Sequence, residues 1–400
     1  MTHLKSPGTL VMFGLLVFAI LSSINREPTK KGQLGTSYWA SKREEGNLRR
    51  EGEKLVSHPK HNACSFYIGT PQGVAKKLAQ EWLYQGLEDY RCRWTNAPLY
   101  VPHAQRGTMV VGASGTGKTV SVIDPCVRSI LDQGFPLLLY DFKFPAQTRR
   151  IAAYAIKRGY QVHFFCPGFN DISDTCNPID FIKDSQDGVG ASQLGEIIAK
   201  NIDLDPDASG DKFFEDAGAT LIQGIFLLTK AVGEEEGMKY ADLMTAAALL
   251  SLPSLGKRLE QARQKGQFNV WTMRPLAQLI ALTHAPETES SVVGTAQRIF
   301  AKFIQKQFIR SYCGRSTLPL DLEGKELLIM GVDRQNRDVV IPLLASVIHM
   351  VVTRNVSRSF PRTDPFCVVL DELPSMYLPQ LNEWLSQNRE DGFCCLAGIQ

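Results

Sequence analysis

The chain has 400 residues, long enough for more than one folded unit, because domains usually run to about 100–200 residues. Its apolar share of 44% and charged share of 21% are those of a globular protein and exclude a disordered or fibrous class. The formal net charge of +3 is close to neutral and argues neither for nor against a nucleic-acid partner, so any basic footprint has to be local.

Nine cysteines, Cys64, Cys92, Cys126, Cys166, Cys176, Cys313, Cys367, Cys394 and Cys395, form no Cys-x-x-Cys pair and several sit in apolar runs. The pattern predicts buried thiols in a reducing compartment, not a disulfide framework or a zinc site. The histidines have no ligand spacing either, so no structural metal is expected.

In chain order, residues 9–24 (TLVMFGLLVFAILSSI) carry no charge, and most Lys and Arg come after them, at Arg26, Lys30, Lys31, Lys42, Arg43, Arg49 and Arg50. A cleaved signal carries its positive charge before the apolar core, whereas a retained anchor with basic residues after it keeps the downstream chain in the cytoplasm. The run is short of the roughly 20 residues of a full span, a length that residues 4–6 can supply. The expectation is an anchor in residues 1–25 at the inner (plasma) membrane, with the bulk of the chain cytoplasmic. A signal peptide or a buried helix is the alternative. Residues 26–97 then form a polar, mixed-charge juxtamembrane linker, with room for one helix, and the lead-in to the next domain.

Met109, Val110 and Val111 form a short apolar run, ending in two β-branched residues and expected as a buried parallel strand. Gly112, Ala113, Ser114, Gly115, Thr116, Gly117, Lys118 and Thr119 come immediately after, and then a helical pattern through Val122, Val127 and Ile130. This is G-x-x-x-x-G-K-T between strand and helix, the phosphate loop (Walker A) in its required context. Glycines let backbone N–H groups turn inward around phosphates, and the helix presents its positive end to them. The Lys118 ammonium is expected between the β- and γ-phosphates of ATP, with the Thr119 hydroxyl on Mg²⁺.

Four more buried-strand runs occur at 135–140, 160–165, 326–332 and 393–399, with helices expected at 149–158, 340–354 and 378–390. Strands alternating with helices predict an α/β fold with a parallel sheet covered on both faces. The run 366–370 ends in Asp371 and Glu372, a Walker B-like pair. Asp371 fits the magnesium-side acid and Glu372 the group that polarises the attacking water. Residues 184–316 lack convincing strands and show helical patterns at 191–202, 211–232, 239–250, 254–264 and 294–311, an inserted all-helical subdomain. The expected layout is an ATPase domain in two parts, 98–183 and 317–400, around that insertion. Lys257, Arg258, Arg263, Lys265, Arg298, Lys302, Lys306 and Arg310 are basic surface candidates there, for solvent or for DNA.

Several segments together resemble the coupling proteins of type IV secretion and conjugation systems, the TraG/TraD-like P-loop ATPases. They are GASGTGKT, the strand LLLYDFK with its Asp-x-Lys, CNPIDFI at 176–182, FFEDAGATLIQGIFLL at 213–228, VVLDELPSM at 368–376 and the stretch from Arg389 to Gln400. The resemblance covers the chain from about residue 98 onward. It implies a RecA-like nucleotide domain, an all-helical insertion, a membrane anchor and a homo-hexameric ring. It also implies delivery of DNA, single-stranded with bound relaxase, to the proteins of a secretion channel. Arg389 then matches an arginine finger acting in trans, and Gln400 the glutamine at the end of the final strand. Three features depart from the family. There is at most one short apolar segment in place of a membrane hairpin, Phe144-Pro145 come after Asp141-Phe142-Lys143 where a Gly and an acid are usual, and the family continues beyond the position of Gln400, so the second ATPase part is expected to be truncated.

Two other functions compete. An FtsK/HerA-like DNA translocase shares the P-loop and the final Gln, and the long insertion and Asn177-Pro178 weigh against it. An ATP-binding recruitment factor would bind partners without pumping DNA, and DNA-stimulated hydrolysis separates it from a translocase.

Overall fold

The computed structural model describes residues 40–84, 95–202, 212–358 and 362–399. The expected anchor at 1–25, Cys92 and Gln400 lie outside them. Contacts divide the chain at Asn47/Leu48, and the sheet and its helices belong to the second unit.

The apolar runs become strands for the expected reason. Continuous Val, Leu, Ile and Phe stretches suit a sheet buried on both faces. Six parallel strands, β3 (Thr108–Val111), β4 (Leu137–Asp141), β5 (Gln161–Phe165), β6 (Glu326–Gly331), β7 (Phe366–Asp371) and β8 (Phe393–Ile399), are ordered β3-β8-β7-β4-β6-β5. A smaller antiparallel pair, β1 (Ser65–Ile68) with β2 (Leu99–Pro102), precedes them.

Alternation along each strand sends neighbouring side chains to opposite faces. Leu138, Tyr140, Leu328, Met330, Val368 and Leu370 join one core cluster, while Leu137, Leu139, Leu327, Ile329, Cys367 and Val369 join the other. The second face is covered by α3 (Asp124–Gln133) and α4 (Thr148–Lys157), with Phe66 of β1 packed beside them. The first is covered by α13 (Arg337–Val356) and by helices inserted between β5 and β6.

Those inserted helices are α5 (Gly188–Ile202), α6 (Lys212–Glu235), α7 (Leu243–Leu250), α8 (Leu255–Gln264), α9 (Val270–Met273), α10 (Ala277–Ala281), α11 (Pro286–Phe303) and α12 (Ile309–Tyr312). The insertion does not stand apart. Helix α5 packs on α13 and on α6, which packs on α11, so its core is continuous with one face of the sheet. Among the described residues, α13 is the one helix long and apolar enough to cross a membrane, but 83% of its apolar window is buried inside the fold, as befits a core helix.

Some details differ from expectation. β3 is parallel but not buried. It pairs only with β8, so it forms a sheet edge with Met109 64% and Val111 66% exposed. The polar lead-in holds α1 (Lys42–Ser57), α2 (Gln72–Tyr84) and the β1–β2 pair. The helix expected at 378–390 is α14 (Leu381–Ser386), succeeded by turns, and that at 294–311 is divided between α11 and α12. The eight described cysteines are free and seven are buried.

Candidate functional site

The C-terminal ends of β3, β4, β7 and β8 open onto one edge of the sheet, where ligands of open α/β folds bind. There the chain leaves β3 through Gly112–Thr119. Gly115 and Gly117 have φ of 77° and 83°, left-handed values that a Cβ would strain, so the loop can curl only with glycine at these points. It runs into a π-helical turn, Thr119–Ile123, continuous with α3. Such turns recur at functional sites.

The Lys118 ammonium folds back over the loop, donating to the carbonyls of Gly112 and of Ile399, the latter at 3.1 Å. The loop therefore curls around a cation held on backbone oxygens, which phosphate oxygens can replace as charge-assisted partners. Next to it, the Thr119 hydroxyl donates to Asp371 Oδ2 at 2.7 Å. Burial raises the Asp371 pKa, opposed by that hydrogen bond, and Glu372 adds a second raising effect. A hydroxyl and a partly desolvated carboxylate in contact are the hard oxygen donors that suit Mg²⁺.

Glu372 adopts a left-handed backbone, φ 81° and ψ 50°, uncommon for a residue with a Cβ and costing about 1–3 kcal/mol. Ser375 holds it there. Its N–H and hydroxyl both donate to the Glu372 carbonyl, at 3.1 and 2.7 Å, and its hydroxyl also lies 2.9 Å from the Tyr140 hydroxyl. The strained turn sets Glu372 in the wall of a cavity of about 220 Å³.

That cavity is lined by Ala113, Ser114, Gly115, Thr116, Gly117, Lys118 and Thr119 of the loop together with Phe142, Lys143, Asp371 and Glu372. The expected loop and acid pair are thus together. A larger cavity, about 590 Å³ between α1, α2 and Tyr100, lies away from these groups and lacks their chemistry. Asp141, at the end of β4, is buried and structural. Its Oδ2 accepts from the Thr148 N–H and hydroxyl at 2.9 and 2.8 Å, capping α4.

Arg389 is not brought to this cavity. It precedes β8 by four residues, at the edge of the sheet where β8 begins, whereas Lys118 lies past the end of the parallel neighbour β3. The length of β8 between them is roughly 20 Å. Its guanidinium is half exposed, 3.9 Å from Glu390. Gln400 is outside the described residues, although Ile399 beside it touches Lys118. Lys143, which also lines the cavity, has as its sequence signal the Asp-x-Lys at the end of an apolar strand.

Residues 72–400 match a family model described as type IV secretory system, conjugative DNA transfer. Among solved structures, the chain is similar to the bacterial conjugative coupling protein TrwB lacking 70 N-terminal residues, in complex with sulphate. The identity is 14%, over 84% of this chain and 72% of that one, with a TM-score of 0.53. It is also similar to TrwB in complex with the GTP analogue GDPNP (14% identity, 84% and 73% covered, TM-score 0.54) and with ADP and Mg²⁺ (15%, 84% and 73%, 0.53). At that identity the likeness carries the fold, a RecA-like one. No curated protein matches the sequence.

Proposed function

The chain belongs to the conjugative DNA-transfer family of type IV secretory systems, and from that premise we propose that it is the ATP-driven coupling protein of such a system, feeding DNA into the channel. The observation that carries the reading is the joining of the phosphate loop, through Thr119, to the acid pair at the end of β7.

The residues divide the work. Backbone N–H groups of Gly112–Thr119 and the positive end of the adjoining helix bind the phosphates, and the Lys118 ammonium leaves its carbonyl partners for the β- and γ-phosphate oxygens. Thr119 and Asp371 hold Mg²⁺, which supplies charge neutralisation at the phosphates. Glu372 orients the attacking water and accepts its proton. Nucleotide and Mg²⁺ in the TrwB structures support this assignment.

In this reading the protein works as a homo-hexamer at the inner membrane, anchored by residues 1–25, and carries single-stranded DNA with its relaxase to the channel proteins. Arg389 serves the neighbouring subunit as an arginine finger. Its distance from its own Lys118 and its exposure support a role in trans.

The test is ATP hydrolysis by purified protein with and without single-stranded DNA. DNA should stimulate turnover, and Lys118→Ala should abolish it. Hydrolysis in Lys118→Ala equal to wild type sinks the site assignment; nucleotide binding with no response to DNA favours a recruitment factor.

A further inference from the structure

Lys143 is an exposed lysine, and most such side chains simply face water. Its backbone, however, is fixed. The Lys143 N–H donates to Asp141 Oδ1 at 3.1 Å, the Phe144 N–H to the Asp141 carbonyl at 3.2 Å, and the Ala146 N–H to the Lys143 carbonyl at 3.0 Å. Asp141 is itself anchored through Thr148, and Phe144 is buried edge-on against Phe169.

This turn leaves β4 in register with the end of β7, Asp141 beside Asp371. It delivers Lys143 to the wall of the 220 Å³ cavity that the phosphate loop also lines. The Lys143 charge acts on Asp371, yet among the described residues the ammonium forms no ion pair or side-chain hydrogen bond. A cation fixed at its base, without a side-chain partner among the described residues and sharing the lining of this cavity with Lys118, is suited to an anion that enters there.

We propose that Lys143 is a second phosphate ligand, specific for the terminal phosphate, so that the site tells nucleoside triphosphate from diphosphate. This rests on the nucleotide reading of the site. The α- and β-phosphates lie in the loop; the γ-phosphate is the group that projects toward the Asp371 and Glu372 side, which is the Lys143 side. An ammonium there gains a contact with triphosphate that diphosphate cannot provide, and Asp141 is its positioning residue.

The experiment is calorimetric titration of the full chain with Mg²⁺ plus either ADPNP or ADP, for wild type, Lys143→Met, Lys143→Arg and Lys118→Ala. Lys143→Met should weaken ADPNP by about 10–100-fold, one charge-assisted contact, and leave ADP within about twofold. Lys143→Arg should recover part of the loss. Equal weakening of both nucleotides, or no change in either while Lys118→Ala loses both, overturns the proposal and leaves the site reading standing. Unchanged binding in Lys118→Ala overturns the site reading itself, and the proposal with it.

Discussion

The Thr119 hydroxyl meets Asp371 Oδ2 at 2.7 Å across 252 residues of sequence. The contact closes the site because β3 and β7 flank β8 in one parallel sheet, which brings the start of the phosphate-loop helix beside the strand-end acid. Thr119→Ala should lower ATP affinity at least about tenfold when Mg²⁺ is present and much less in EDTA, with Thr119→Ser close to wild type. Affinities that drop equally with and without Mg²⁺ would mean that the hydroxyl supports the loop instead of the ion.

The water-orienting role proposed for Glu372 predicts that binding and chemistry separate. Glu372→Gln should bind ATP as wild type does and hydrolyse it at least about 100-fold more slowly, because the amide keeps the shape and cannot accept the water's proton. Glu372→Gly should lose turnover too, yet unfold at equal or higher denaturant concentration, since glycine takes φ 81° without strain. Lost ATP affinity in Glu372→Gln would make the residue structural.

Arg389 calls for a mixing experiment. Arg389→Ala and Lys118→Ala subunits, each inactive alone, should regain part of the activity when combined, because some interfaces then join an intact loop to an intact guanidinium. A finger contributes about 10³–10⁵ in rate in the GTPase case. Normal turnover by Arg389→Ala alone would show that the arginine does no more than pair with Glu390.

The six parallel strands were legible in the sequence because each is a short apolar run, and the phosphate loop because phosphate binding constrains residue type directly. What depends on neighbours was not legible locally. The run Met109–Val111 looks buried, but whether it lies at an edge depends on strand order, which no local pattern encodes. SFYI and LYVP, the strands of the β1–β2 pair, are four residues each and far apart, too short for a periodicity. Lys143 read as a strand end, since its approach to the cavity depends on the turn built on Asp141. The distance from Arg389 to Lys118 stems from β3 and β8 running parallel, a relationship visible only in the assembled sheet.

His349 gives a pH dependence. It is buried on α13 against Trp384, ring centroids 4.9 Å apart, and neither ring nitrogen has a hydrogen-bond partner among the described residues. Burial lowers its pKa from 6.5 to about 4, with Glu196 opposing weakly. The unfolded chain takes up this proton from about pH 6.5 downward and the folded chain only near 4, so stability falls as pH falls through that window. The loss attributable to this residue is up to about 3 kcal/mol. Denaturant unfolding of His349→Leu should show a smaller difference between pH 7.5 and pH 5 than wild type. An identical difference would place the acid sensitivity elsewhere.

In the proposed function, the nucleotide site at Lys118 powers DNA transfer. Donor cells lacking this gene, complemented with wild type or with Lys118→Ala at equal protein levels, test it by the frequency of DNA transfer to recipients. Transfer should return with wild type and stay at the level of the uncomplemented donor with Lys118→Ala. Full restoration by Lys118→Ala would contradict it.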